Sequence, residues 1–318
     1  MEVAAGLGGP AELVLTASVA RRYYIDHRSK TELAEEFRIS RFKVARLLDA
    51  ARASGLVRIE IGWPGVIDVE LSGRLQERFG LLHAVVIDAP EENAAALRRE
   101  LGLAAAALLE EIVTDADVLG LAWARSVSAM TAALRRLAAT PVVQLTGALS
   151  HPDIEDSSIE LVREVAQISG GPAYLFYAPL VVPDAATADA LRRQPEVARA
   201  FRQFGSVTKA VAGVGRWAPG QSTVFDATED KERRQLARAG VVADISGILL
   251  HADGSPVETR LTERMIGINA AQMRAIPQVI GIVYGAVKAP AVLAAVRSGL
   301  VKGLVTHTSM ARAMLAAG

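Results

Sequence analysis

The sequence predicts an α/β protein: an N-terminal winged helix-turn-helix domain over residues 1–62, then a doubly wound, mostly parallel, Rossmann-like sheet domain over 63–318. Three observations carry that prediction. Residues 30–58 read as two short amphipathic helices around a tight turn. After Gly80 the pattern changes to short β-branched apolar runs alternating with helical stretches. Between the two regimes, Gly62-Trp63-Pro64-Gly65 gathers turn-forming residues at a boundary.

In the head, Leu33, Ala34, Phe37, Ile39, Val44, Leu47 and Leu48 fall on one face at the helical period, around a turn placed at Ile39. Ser40 is a fitting N-cap for the second helix, because its hydroxyl accepts from N–H groups that the first turn leaves unpaired. Gly55 then releases the chain into an extended Val-Arg-Ile-Glu-Ile. A preceding helix over Glu12–His27, with Leu13, Ala17, Ala20 and Tyr24 at helical spacing, supplies the third element of a DNA-binding head. Lys30 and Thr31 open the first helix of the pair; Ser40, Arg41, Phe42, Lys43 and Arg46 occupy the start of the second, where a recognition helix meets bases and phosphates. Arg41 and Arg46 suit guanine or phosphate, Lys43 phosphate, and Phe42 a thymine methyl or packing.

Between Arg38 and Arg58, the basic residues Arg38, Arg41, Lys43, Arg46, Arg52 and Arg58 against Asp49 leave a local charge of +5, in a chain whose 35 basic residues balance 35 acidic ones. Charge concentrated on one module of a neutral protein points to a polyanion, double-stranded operator DNA, as partner. The competing interpretation is a pair of surface helices whose cations are merely solvated.

The length of 318 residues favours two domains, one of them sizeable. A hydrophobic fraction of 51% with evenly spread charge fits a globular chain. No apolar run approaches the roughly 20 residues that span a bilayer. The N-terminus lacks the pattern of a secretory signal and reads as a frayed tail. Cysteine is absent, which rules out disulfides, thiolate catalysis and cysteine-held metal centres. A cytoplasmic location, no membrane, no metal and no cofactor are expected.

A helix over Asp68–Phe79, stopped by Gly80, links head to body, with Val69, Leu71, Leu75 and Phe79 directed at the body or at a second copy. Strands are expected at Ala84–Ile87, Val118–Leu121, Val142–Leu145, Ala173–Phe176, Ala210–Val214, Ile248–Leu250, Val279–Val283 and Leu304–Thr306. Helices are expected at Asn93–Thr114, Ser126–Leu137, Ser158–Ser169, Glu229–Arg238, Ala289–Arg297 and Ser309–Leu315. Strands spaced by such helices imply right-handed crossovers on a parallel sheet, with ligands at the carboxyl ends of its strands. Asp253-Gly254 has the look of a hairpin turn in an appended antiparallel pair.

From about Ala17 to Leu315 the chain resembles the sugar-binding transcriptional regulators of the SorC type. The resemblance rests on the head, YYIDHRSKTELAEEFRISRFKVARLLDAARASGLVRIEI, and on the tail, GIVYGAVKAPAVLAAVRSGLVKGLVTHTSMARAML. It implies a regulator whose body resembles sugar-phosphate isomerases and deaminases, binds a sugar or sugar phosphate, and assembles as a homodimer or homotetramer. Carried onto matching loops, it implies effector contacts from Gly120, Trp123, Arg125 and Ser126, from Thr146 and Gly147, from Gly213, Gly215 and Arg216, from Asp244, and from Gly285 and Lys288. A strand-to-helix turn such as the first of these presents N–H groups and a helix dipole to an anion. A lysine at a helix start, as at 288, is unfavourable unless an anion joins it. This chain departs from the pattern at Ala122 and Ala124, where relatives carry more glycine, and at His307, where they carry an acid. The effector is therefore left open between a sugar phosphate and a free sugar or polyol.

The same fold hosts catalysts, so a sugar-phosphate isomerase or deaminase fused to a helical head is the alternative. Those reactions need a base beside the substrate carbon and a proton relay. His83, His151, His251 and His307 are scattered, and no paired acid/base motif surrounds Asp244 or Lys288, so no catalytic residue is assigned.

Overall fold

The computed structural model describes residues 9–57, 67–149 and 158–318. The chain separates into two compact units, Met1–Gly62 and Trp63–Gly318. The expected extended segment over 58–61, the boundary at 62–65 and His151 lie outside the described residues.

The first unit is built from α1 (Pro10–Tyr24), α2 (Lys30–Glu36) and α3 (Arg41–Ala53). α1 stops at Tyr24, short of the expected His27. Ser29 starts α2 with a capping box: its hydroxyl accepts from the Glu32 N–H at 3.2 Å, and the Glu32 carboxylate accepts from the Ser29 N–H at 2.8 Å. Ser40 caps α3 through the Lys43 N–H at 3.2 Å. The turn differs from expectation by one position, since Arg38 and not Ile39 takes the left-handed conformation, at φ 52°. Ile39 instead donates its N–H to the Ala34 carbonyl at 2.9 Å, and its partly buried side chain joins the small core. Val19, Ala20, Leu33, Val44, Leu47, Leu48 and Ala51 close that core.

The second unit opens with α4 (Val69–Phe79), capped by Asp68 and ended by Gly80 at φ 63°. Its Leu71 and Leu75 enter the main core, each contributing about 1.5–3 kcal/mol by leaving water, while Val69 stays exposed. The chain continues through β1 (His83–Ile87), α5 (Ala94–Ile112), β2 (Leu119–Leu121), α6 (Arg125–Ala133), β3 (Val142–Gln144), α7 (Ser158–Ser169), β4 (Ala173–Tyr174), α8 (Ala185–Arg192), α9 (Pro195–Arg202), β5 (Lys209–Ala212) and β6 (Val214–Arg216). It then runs through α10 (Thr223–Ala227), α11 (Asp230–Arg238), β7 (Ala243–Ile245), β8 (Ile248–Leu250), α12 (Arg260–Glu263), α13 (Ala270–Ala275), β9 (Gln278–Ile282), α14 (Ala289–Arg297), β10 (Gly303–His307) and α15 (Thr308–Ala317).

Seven strands form one parallel sheet in the order β1-β10-β9-β5-β2-β3-β4. Alternation along the strands feeds two cores. Val211, Ile280 and Val305 face the layer of α5, α6 and α7, whereas Ala210, Val279 and Leu304 face that of α4, α14 and α15. The chain steps outward from the β2/β5 pair in opposite directions, so the topological switch point lies between these two strands.

Two expectations are corrected here. The run Ala210–Val214 is not one strand: Gly213 interrupts it, β5 stays in the parallel sheet, and β6 starts a separate antiparallel sheet β6-β7-β8. Ile248–Leu250 belongs to that second sheet as well. Its hairpin turns at Ser246-Gly247, with both residues at positive φ (56° and 85°), the signature of a type I′ turn. Asp253-Gly254 also turns the chain, but its return leg makes only an isolated bridge, Leu250 to Pro256, and no strand. Among the other helices, α6 ends at Ala133 and not at Leu137, and α8, α9, α10, α12 and α13 had no counterpart in the expectations.

Candidate functional site

A cleft opens at the carboxyl ends of β2, β3, β5 and β9, over the switch point. The loop after β2 supplies Trp123, Ala124, Arg125 and Ser126. The loop after β3 supplies Thr146 and Gly147, the β5–β6 junction Gly213 and Gly215, and the loop after β9 Tyr284 and Lys288. The antiparallel sheet forms the facing wall with Asp244 and Ser246, beside Ser222.

Nine of the twelve candidates for effector contact therefore share one cavity: Trp123, Arg125, Ser126, Thr146, Gly147, Gly213, Gly215, Asp244 and Lys288. Three do not line it. Gly120 lies within β2, where a Cβ would meet the Leu145 methyls at 2.9 Å, so its smallness serves packing. Arg216 turns aside and donates to the Val287 carbonyl at 3.3 Å. Gly285 supports the loop from behind: at φ 86° it donates its N–H to His307 Nε2 at 3.1 Å, while Glu91 accepts from the Ala286 N–H at 2.9 Å.

The chemistry of the lining is set by what burial leaves unpaired. Among the described residues six buried side-chain polar atoms have no hydrogen-bond partner, and three of them, Trp123 Nε1, Asp244 Oδ1 and Ser246 Oγ, belong to this one cleft. A buried polar group without a partner costs about 1–3 kcal/mol, so three in one cavity make it the candidate site for a polar ligand. Burial pushes the Asp244 carboxyl up to about 6, against the opposing effects of the Ser222 hydroxyl and the Lys288 charge. Burial also lowers the Lys288 ammonium, which Asp244 favours and which Arg125 and Arg98 oppose. Lys288 Nζ stands 5.0 Å and the Arg98 guanidinium 5.6 Å from the Tyr284 ring centre. Helix α6 starts on Ala124 with no side-chain cap, and the Ser126 hydroxyl is used elsewhere, donating to the Ile282 carbonyl at 2.8 Å.

Two glycines have specific reasons. A Cβ on Gly213 would sit 2.6 Å from the Ala124 Cβ, and one on Gly215 would sit 2.3 Å from Asp244 Oδ1. The carboxylate thus reaches its position only because residue 215 has no side chain. Ser222, Ser246 and Tyr284 had not been singled out. The Ser-Gly dipeptide between Ala-Asp-Ile and Ile-Leu-Leu is the one available signal, that of a tight hairpin.

In the first unit, Lys30, Thr31, Ser40, Arg41, Phe42 and Arg46 are exposed and Lys43 is half-buried. Lys30 Nζ lies 5.9 Å from the Tyr23 ring centre. The outward surface of α3 carries cations and one phenyl ring, and its inward surface carries the core residues.

Residues 66–316 match the Sugar-bind family model, described as "Putative sugar-binding domain". The transcriptional regulator LsrR of Klebsiella pneumoniae subsp. pneumoniae is 30% identical over 310 residues, which cover 96% of this chain and 94% of that protein. The deoxyribonucleoside regulator of Bacillus subtilis is 25% identical over 304 residues, 95% of this chain and 97% of that one. In fold, the full-length sorbitol operon regulator SorC from Klebsiella pneumoniae superposes with a TM-score of 0.73 at 23% identity, covering 96% of this chain and 99% of that structure. With the domain matched over most of its length and a regulator aligned end to end, the chain belongs to the SorC-type family of sugar-binding transcriptional regulators.

Proposed function

We propose that this regulator holds operator DNA through α2 and α3, and that a small sugar or sugar phosphate bound in the cleft sets its affinity for that DNA. The observation that carries the proposal is the gathering of Trp123, Asp244 and Ser246, each with a buried polar atom that has no partner, around one cavity. A donor, an acceptor and a hydroxyl suit the hydroxyls of a sugar or polyol. The uncapped start of α6 and the Lys288 ammonium suit a phosphate on the same molecule. Gly120, Arg216 and Gly285 support these loops without lining the cavity.

In the head, Arg41 and Arg46 meet bases or phosphates, Lys43 and Lys30 phosphates, and Ser40 and Thr31 the backbone near the helix starts. Two copies in a homodimer, or in a homotetramer built from it, set two such helices about 34 Å apart in successive major grooves. The effector acts by binding one arrangement of the heads more tightly than another. The protein works in the cytoplasm as a binding protein without catalytic turnover; its relatives bear regulator names.

The test is fluorescence anisotropy of the full chain on duplex fragments from upstream of its own and neighbouring genes, at several salt concentrations. The expected result is salt-sensitive binding that glucitol or a phosphorylated sugar shifts, with a raised melting temperature and no product formed. Absence of salt-sensitive binding to every fragment overturns the operator assignment. Turnover of a sugar phosphate overturns the non-catalytic one.

A further inference from the structure

We infer that Phe42 and Arg46 together read a thymine and a guanine lying within two base pairs of each other in the operator half-site, the methyl going to the ring and the guanine edge to the guanidinium. The inference rests on the proposal that α3 is the recognition helix.

Residues of an α-helix are spaced by about 100° around its axis. The buried stripe of α3 is Val44, Leu47, Leu48 and Ala51. The positions diametrically opposite that stripe are Phe42, Arg46 and Asp49, so these three form the outermost ridge. Arg41 and Lys43 stand one residue to either side of Phe42 and so diverge towards the two flanks of the helix, where the sugar-phosphate strands bounding a groove run. Phe42 is 86% exposed. Packing within the head therefore does not account for its ring, and the phenyl group is free to meet the floor of a groove.

The apolar group on that floor is the thymine C5-methyl; the bidentate partner for arginine is guanine, through O6 and N7. Phe42 and Arg46 are about 6 Å apart along the helix axis, four residues at 1.5 Å each. Base pairs follow one another at about 3.4 Å, so the two side chains address pairs one or two steps apart. Asp49, next on the ridge, is ion-paired with Arg52 at 2.5 Å and turns the ridge from cationic to neutral, which confines base reading to the first two turns.

The experiment selects duplexes from a random pool with the full chain, then measures anisotropy on the selected site at fixed salt. Each thymine is replaced in turn by deoxyuridine, which removes only the methyl. The expected result is a half-site holding a thymine within two base pairs of a guanine, with one uracil replacement that weakens wild-type binding about three- to fourfold, the value of one methyl leaving water. Phe42→Ala, on an exposed site, should fold normally and bind uracil and thymine duplexes alike. If wild type binds all uracil duplexes as well as the parent, or if F42A keeps the full methyl preference, the inference falls while the operator assignment stands. If no duplex is selected, both fall.

Discussion

Asp117, just ahead of β2 at the amino end of the parallel sheet, and Asp244, in β7 against the carboxyl end, are 7% and 6% exposed. They are opposite in every other respect. Burial raises the Asp117 carboxyl, but four donors outweigh it: Lys209 Nζ at 2.6 Å, the Thr208 hydroxyl at 2.7 Å, and the Thr114 N–H and hydroxyl at 2.8 Å each. They hold it down at about 2. Asp244 keeps one oxygen without any partner and stands at about 6. A closed polar network ties strands together, and an unfinished one waits for a ligand. The partnered carboxylate thus lies at the amino end of the parallel sheet and the incompletely partnered one in the small antiparallel sheet that faces its carboxyl end.

The largest test of that contrast is Asp117→Ala, which leaves Lys209 buried without a counter-charge and should lower the unfolding free energy by about 3–5 kcal/mol in urea titrations. A loss below about 1 kcal/mol would show that the amino-end network is not structural.

Next comes pH. Because the folded Asp244 carboxyl stands above its unfolded value of 3.8, at about 6, the folded state binds the extra proton and gains stability as pH falls. Lowering pH from 7 to 4.5 should therefore stabilise wild type by about 2 kcal/mol relative to Asp244→Asn. The Asp117 contribution is nearly constant over this window. His307, whose buried imidazole is shifted down, works in the opposite sense, so the difference between the two proteins isolates Asp244. Equal pH profiles would remove the contrast between the aspartates.

Lys288→Ala should raise the concentration of a phosphorylated effector needed for half-maximal response by about tenfold, the value of one charged hydrogen bond, while operator affinity without effector is unchanged. An unaltered titration would take Lys288 out of the binding set.

The smallest effect is expected at Ser246→Gly. It relieves a left-handed residue and should raise stability by up to about 1 kcal/mol, net of the glycine's extra freedom when unfolded. Effector affinity should fall a few-fold at the same time. A variant more stable and equally responsive would mean that the Ser246 hydroxyl has no ligand to meet.

Legibility in the sequence followed the range of the interaction. Ser40 announced α3 because capping is local, and the β-branched runs announced the parallel strands because both faces of that sheet are buried. Arg38 at the turn was not legible, since arginine has no preference for positive φ and the turn is imposed by Ile39 folding into the head core. The split at Gly213 was hidden because both halves of the run are apolar and the break lies in tertiary packing against Ala124. For the site, the family resemblance led to the loops after β2, β3, β5 and β9, which sequence places one at a time. Ser222 joins them only through the fold. Gly120 shows the converse: a glycine beside a binding loop looks the same in sequence whether it faces a ligand or the Leu145 side chain.

Gly213 and Ala124 meet where two strand ends converge, and a methyl added to the first would collide with the methyl already on the second. The pair therefore behaves as a single volume allowance shared by two positions. Alanine at 213 becomes tolerable when 124 is glycine, so an exchange of the two side chains conserves the aperture that either change alone would deform. Bulk can migrate across the lining of the cavity in this way, giving the chain a route to reshape that space without disturbing the sheet beneath.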